Sequence, residues 1–62
     1  MIVLTVLDFE DGRVYQYKLE NACEDMGGKQ FEDIIEAQGH RLKDCEWMSH
    51  SDDTINKIKI EL

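Results

Sequence analysis

The spacing of apolar positions changes along the chain, and each change predicts a new element. In residues 1–7, Ile2, Leu4 and Val6 fall on one face and Val3, Thr5 and Leu7 on the other. A run that is apolar on both sides and rich in β-branched residues predicts a central strand. Asp11-Gly12 then predicts a tight hairpin turn, because Gly12 supplies the positive φ that such turns require. Residues 14–19 return antiparallel, with Tyr15, Tyr17 and Leu19 sharing a face while Arg13, Gln16 and Lys18 are polar.

Beyond Glu20 the period lengthens. Asn21 followed three residues later by Glu24 has the form of a capping box for a short helical turn, which Gly27-Gly28 then breaks. Phe31, Ile34 and Ile35 stand at i, i+3 and i+4, Glu32 and Asp33 lie in the expected first turn, and Gly39 is placed to stop the run. Residues 29–38 are therefore predicted to be the main helix. Residues 42–50 alternate loosely, with Cys45 and Trp47 opposed to Asp44, Glu46 and Met48, and favour a strand over a loop. Ser51, Asp52 and Asp53 make a polar turn. In residues 55–62, Ile58, Ile60 and Leu62 alternate with Lys57, Lys59 and Glu61, which predicts a final strand. The expected fold class is α+β, a single domain over residues 1–62: an antiparallel sheet of three to four strands with one main helix packed on a face.

Composition adds a size limit and a sign. A 62-residue chain leaves roughly 40% of its unfolded surface exposed even when folded, so oligomerisation, as a homodimer, is expected. Hydrophobic residues at 42% are too many for a disordered acidic tail. Fourteen Asp and Glu stand against seven Lys and Arg, a net charge of −7. This field repels nucleic acid and attracts protein surfaces built to grip phosphates. No stretch approaches a signal-peptide core or a membrane span, so a cytoplasmic protein is expected, with Cys23 and Cys45 reduced.

Little in the chain points to catalysis or to a cofactor. His40 follows the helix end and His50 sits in the polar turn, and both read as surface histidines with no nucleophile at a matching spacing. Cys23, His40, Cys45 and His50 are zinc-ligand types, but no close pair such as Cys-x-x-Cys brings them together. No enzyme activity, metal or cofactor is expected. The helix is more specific. Glu32 and Glu36 are one turn apart, with Cβ atoms about 5 to 6 Å from each other, and Asp33 lies beside them. Such a row is either the wet face of the helix or a stand-in for phosphates. The adjoining Phe31, Ile34 and Ile35 either cover the sheet or, paired across a dimer, form an apolar recess ringed by carboxylates. Trp47 adds aromatic surface to that recess or fills the core.

The order of strand, acidic turn closed by Asp11-Gly12, Tyr15-Gln16-Tyr17 strand, helix with Phe31-Glu32, and Ile/Lys-alternating final strand resembles the small dimeric uracil-DNA glycosylase inhibitors of some tailed phages. That family is an acidic DNA mimic. The resemblance implies that a hydrophobic box at the dimer interface traps the leucine which the glycosylase inserts into DNA. Phe31 and Glu32 would take part in the box, with Gln16 near the place of a glutamate. An aromatic of the family falls at Ile35 here, and residues 40–53 have no counterpart.

Partner-binding residues are thus expected at Gln16, Phe31, Glu32, Asp33, Ile35 and Glu36, with Ile34 and Trp47 as further pocket residues. The expected function is a phage inhibitor of host uracil-DNA glycosylase, acting in the host cytoplasm. Two alternatives stand beside it: a DNA mimic directed at a restriction enzyme, nucleoid protein or polymerase, and a small dimeric assembly domain.

Overall fold

A computed structural model describes residues 1–21 and 25–62. Strand β1 (Ile2–Asp8) is flanked antiparallel by β2 (Arg13–Leu19) and β3 (Cys45–His50), giving a three-stranded sheet of order β2-β1-β3. Helix α1 (Gly28–Ala37) and a short 3-10 turn (Leu42–Asp44) connect β2 to β3. The architecture is α+β, as the periodicities predict.

The central position of β1 follows from its two apolar faces. Leu4 and Val6 face the helix and Val3 faces the opposite side, all fully buried. Full burial of each stabilises the fold by roughly 1.5–3 kcal/mol. The register Leu4↔Tyr17 and Val6↔Tyr15 on one side, with Val6↔Trp47 on the other, sets Ile2, Tyr15, Tyr17, Leu19, Cys45 and Trp47 around that core. Phe31 and Ile35 close it from α1, with Ile34 packed at its edge.

The β1–β2 connection is longer than the two-residue turn that Asp11-Gly12 suggests. Four residues link Asp8 to its partner Arg13, and the Gly12 amide donates to the Asp8 carbonyl at 2.9 Å. Gly12 still takes the left-handed conformation, at φ 67°. Asp8 Oδ1 accepts the Glu10 amide at 2.9 Å and Asp11 Oδ1 the Arg13 amide at 3.0 Å, so carboxylates satisfy the loop amides.

Helix α1 starts one residue earlier than the periodicity suggests. Gly27 is its N-cap, and the Gln30 side chain accepts the Gly27 amide at 2.7 Å. Glu32 and Asp33 consequently lie beyond the first turn, which holds no acidic residue. Asn21, at φ 63°, is left-handed rather than in the extended conformation of an N-cap, and Glu24 of the expected capping box lies outside the described residues. The C-terminus is a Schellman motif. Gly39 at φ 96° donates to the Glu36 carbonyl at 2.9 Å, and the His40 amide donates to the Ile35 carbonyl at 3.4 Å.

The expected final strand is absent. Residues 51–62 carry no regular secondary structure, and Ile58, Ile60 and Leu62 are exposed at 81%, 74% and 119% of their reference areas. The period of two is real but finds no strand partner among the described residues. His50 Nδ1 donates to the Asp52 carbonyl at 2.6 Å, and Asp53 pairs with Lys18 of β2 at 2.8 Å. These contacts lead the segment across the sheet face opposite α1, away from the β3 edge it would need for a hairpin. The projecting tail gives a radius of gyration of 12.8 Å, against about 10.5 Å for a compact chain of this length. Among the described residues no helix is long and apolar enough to cross a membrane.

Candidate partner-binding surface

Helix α1 divides the expected binding residues into two sets. Asp33 and Glu36 are exposed and Glu32 is half-buried at the edge of the helix, so the carboxylate row does form on its outer side. Lys29, one turn before Asp33, pairs with it, and these two charges answer each other. Glu32 and Glu36 have no ion-pair partner among the described residues. Their mutual repulsion at i, i+4 costs the helix a few tenths of a kcal/mol, roughly.

Phe31 and Ile35 point the other way. Phe31 is 7% exposed and Ile35 fully buried, both against the sheet of their own chain. The Phe31 ring meets Trp47 at a centroid distance of 5.8 Å and an interplanar angle of 60°, and Trp47 is half-buried. Of the two readings of the apolar stripe, this geometry is the one in which it covers the sheet. Ile35 is closed off within the core, while the edge of Phe31 borders a recess of about 220 Å³ with Ile2, Met26 and Ser49.

Gln16 is not brought near Phe31 and Glu32. It pairs in register with Thr5 on the face opposite α1, and its Nε2 donates to Thr5 Oγ1 at 3.2 Å. That far face also carries Leu7, Val14 and Met48, exposed at 41%, 57% and 56%. Between it and the tail lies a recess of about 570 Å³ lined in part by Gln16, Met48, His50 and Ile55.

A polar cluster that the periodicities do not reveal sits at the opposite end of the helix face. His40, expected at the surface, is 8% exposed. The Schellman motif turns it inward, where the Asp8 carboxylate accepts from Nδ1 at 2.6 Å and Nε2 lies 2.5 Å from the Tyr17 hydroxyl. With Asp8 ionised, the Nδ1 proton faces the carboxylate and Nε2 accepts the Tyr17 proton. Tyr15 packs on the imidazole at 4.8 Å between centroids. One signal was present in the sequence: Asp8 continues the Ile2, Leu4, Val6 face, so its carboxylate must find a partner at the core edge.

The electrostatics of this cluster are those of a structural clamp. The His40 hydrogen bond holds the Asp8 carboxyl below its ordinary value, aided by the Glu10 and Asp11 amides. Burial, then the charges of Asp8 and Asp11, push the Tyr17 hydroxyl up. Burial likewise raises the Cys45 thiol, with Asp8, Glu46 and Asp44 adding to it. Both are moved away from their nucleophilic forms. His50, expected in a turn, instead ends β3 and lies 2.5 Å from Thr5 Oγ1 on the far face. His40 and His50 are therefore on opposite faces of the sheet, so these two zinc-ligand types are not gathered in one place. Cys23 lies outside the described residues.

Over the surface as a whole, negative charge is poorly compensated. Of the thirteen described carboxylates, all but Glu24, four meet a basic side chain: Asp8 on the His40 imidazole, and Glu10, Asp33 and Asp53 in ion pairs. The other nine meet none. Compared with known proteins, the chain matches no family model, no curated protein and no solved structure.

Proposed function

We propose that this protein is a stoichiometric, non-catalytic inhibitor that offers carboxylates to the phosphate-gripping surface of a DNA-processing protein. Uracil-DNA glycosylase of a phage host, met in the host cytoplasm, is the target that the sequence resemblance suggests. The observation that carries the reading is the poorly compensated acidity of the surface, with Glu32 and Glu36 unpaired among the described residues along the outer side of α1. Attraction between this surface and a basic cleft speeds encounter and excludes DNA from the same site. Because Phe31 and Ile35 belong to the core, the proposal places the contact on the carboxylates and does not require a hydrophobic box at those residues.

The test is a titration of glycosylase activity on uracil-containing DNA. Stoichiometric loss of activity that weakens as salt rises supports the reading, and full activity at excess protein removes this target. A restriction enzyme, a nucleoid protein or a polymerase then remains, each assayed against its own DNA substrate. A second reading, a small dimeric assembly domain, is favoured by the exposed Leu7, Val14 and Met48 on the far face. It predicts self-association without any salt-sensitive binding to DNA-processing proteins.

A further inference from the structure

We propose that residues 55–62 of one copy add as a fourth strand to the β3 edge of a second copy, exchanged reciprocally in a homodimer. Three observations converge on this arrangement, and none depends on the identity of any inhibited enzyme. The first is the mismatch between pattern and surroundings. Residues 55–62 alternate with the period of a half-buried strand, yet Ile58, Ile60 and Leu62 lie in solvent at 81%, 74% and 119% exposure. Eight extended residues span roughly 26 Å, enough to run the full length of a six-residue strand.

The second observation is the open edge. In the order β2-β1-β3, one side of β3 pairs with β1 and the other carries no strand among the described residues. The chain's own tail is led away from that edge, because Asp53 is fixed to Lys18 of β2 and Asp52 to His50. An edge strand left in this state is a template for a strand from another chain.

The third observation selects β3 over β2. Counting side chains, residues 54–62 hold Lys57, Lys59 and Glu61, a charge of +1, which leaves −8 on residues 1–53. Strand β2 presents Arg13, like-charged with the incoming lysines, and Lys18, already held by Asp53, whereas β3 presents the exposed Glu46 and directly follows Asp44. Cross-strand pairs of opposite charge are favourable and like charges directly opposite are not. With Lys57 and Lys59 on the face of Glu46, strand alternation sets Ile58 and Ile60 on the face of Cys45 and half-buried Trp47, which continues the core beneath α1.

The experiment uses the full-length chain. Sedimentation equilibrium measures its association, and isotope-filtered NMR on a mixture of labelled and unlabelled copies reads contacts between chains. The expected result is a dimer with intermolecular contacts from Ile58 and Ile60 to Trp47. The I58K/I60K double variant is expected to weaken the dimer by at least roughly a hundredfold in Kd, as the loss of two buried isoleucines implies. Its far-UV circular dichroism should stay folded, because the exchanged segment lies outside the core of each copy. A monomeric chain, contacts to Trp47 found only within one chain, or a dimer unaffected by I58K/I60K would each overturn the proposal.

Discussion

At the scale of single residues, His40 and Gly39 determine how the end of α1 meets the sheet. Gly39 adopts a φ of 96°, and a Cβ there would meet no atom within 4 Å, so its requirement is conformational rather than steric. Gly39→Ala is expected to lower stability by about 1–2 kcal/mol in urea unfolding, the usual cost of a left-handed non-glycine residue. His40→Ala leaves the Tyr17 hydroxyl and the Asp8 carboxylate without their shared partner, at a cost of about 1–3 kcal/mol in the same measurement. The pH dependence follows from Asp8. Its folded carboxyl titrates below the ordinary value, so the unfolded chain binds more protons in the acid range. The stability it contributes is complete above the ordinary carboxyl value near 3.8 and is lost as pH falls through the depressed one. Asp8→Asn should flatten that part of an acid-unfolding curve, and an unchanged slope would mean that the His40 bond does not hold the carboxylate.

At the scale of elements, α1 was legible in the sequence to within a residue at each end, as were β1, β2 and the existence of β3. Those elements each have a face that must be buried, and burial writes a period into the chain. What the period does not encode is the destination of a polar side chain. His40 looked exposed because it follows a helix stop, but the hydrogen bonds of the Gly39 motif turn it toward Asp8. Periodicity also cannot tell whether an apolar stripe faces its own sheet or another molecule. Phe31 and Ile35 illustrate this, since the same i, i+4 spacing serves either role and only their burial beside Leu4, Val6 and Trp47 decides it. Phe31→Ala is accordingly expected to cost about 3–5 kcal/mol of folding stability, as for any buried phenylalanine. A loss of under 1 kcal/mol in urea unfolding would show that the ring is not part of the core.

At the scale of the whole molecule, two incomplete features stand out: an acidic surface on which nine described carboxylates meet no basic side chain, and an alternating tail without a strand partner among the described residues. The period of residues 55–62 predicts a strand, but a strand exists only where a neighbour supplies hydrogen bonds, and the Lys18–Asp53 contact leads the tail away from the nearest edge. The acidity was legible from composition and its row on α1 from the helical spacing. The grouping of Gln16 with that row was not, because Gln16 lies across the sheet from Glu32. The central claim is that the outer carboxylates of α1 make the contact with a basic partner. Its most direct test is the affinity of Glu32→Gln/Glu36→Gln for uracil-DNA glycosylase, measured together with the variant's thermal unfolding. Removing the like-charge pair should raise stability by a few tenths of a kcal/mol, roughly, while weakening binding at least roughly tenfold. Undiminished affinity in the variant would contradict the claim.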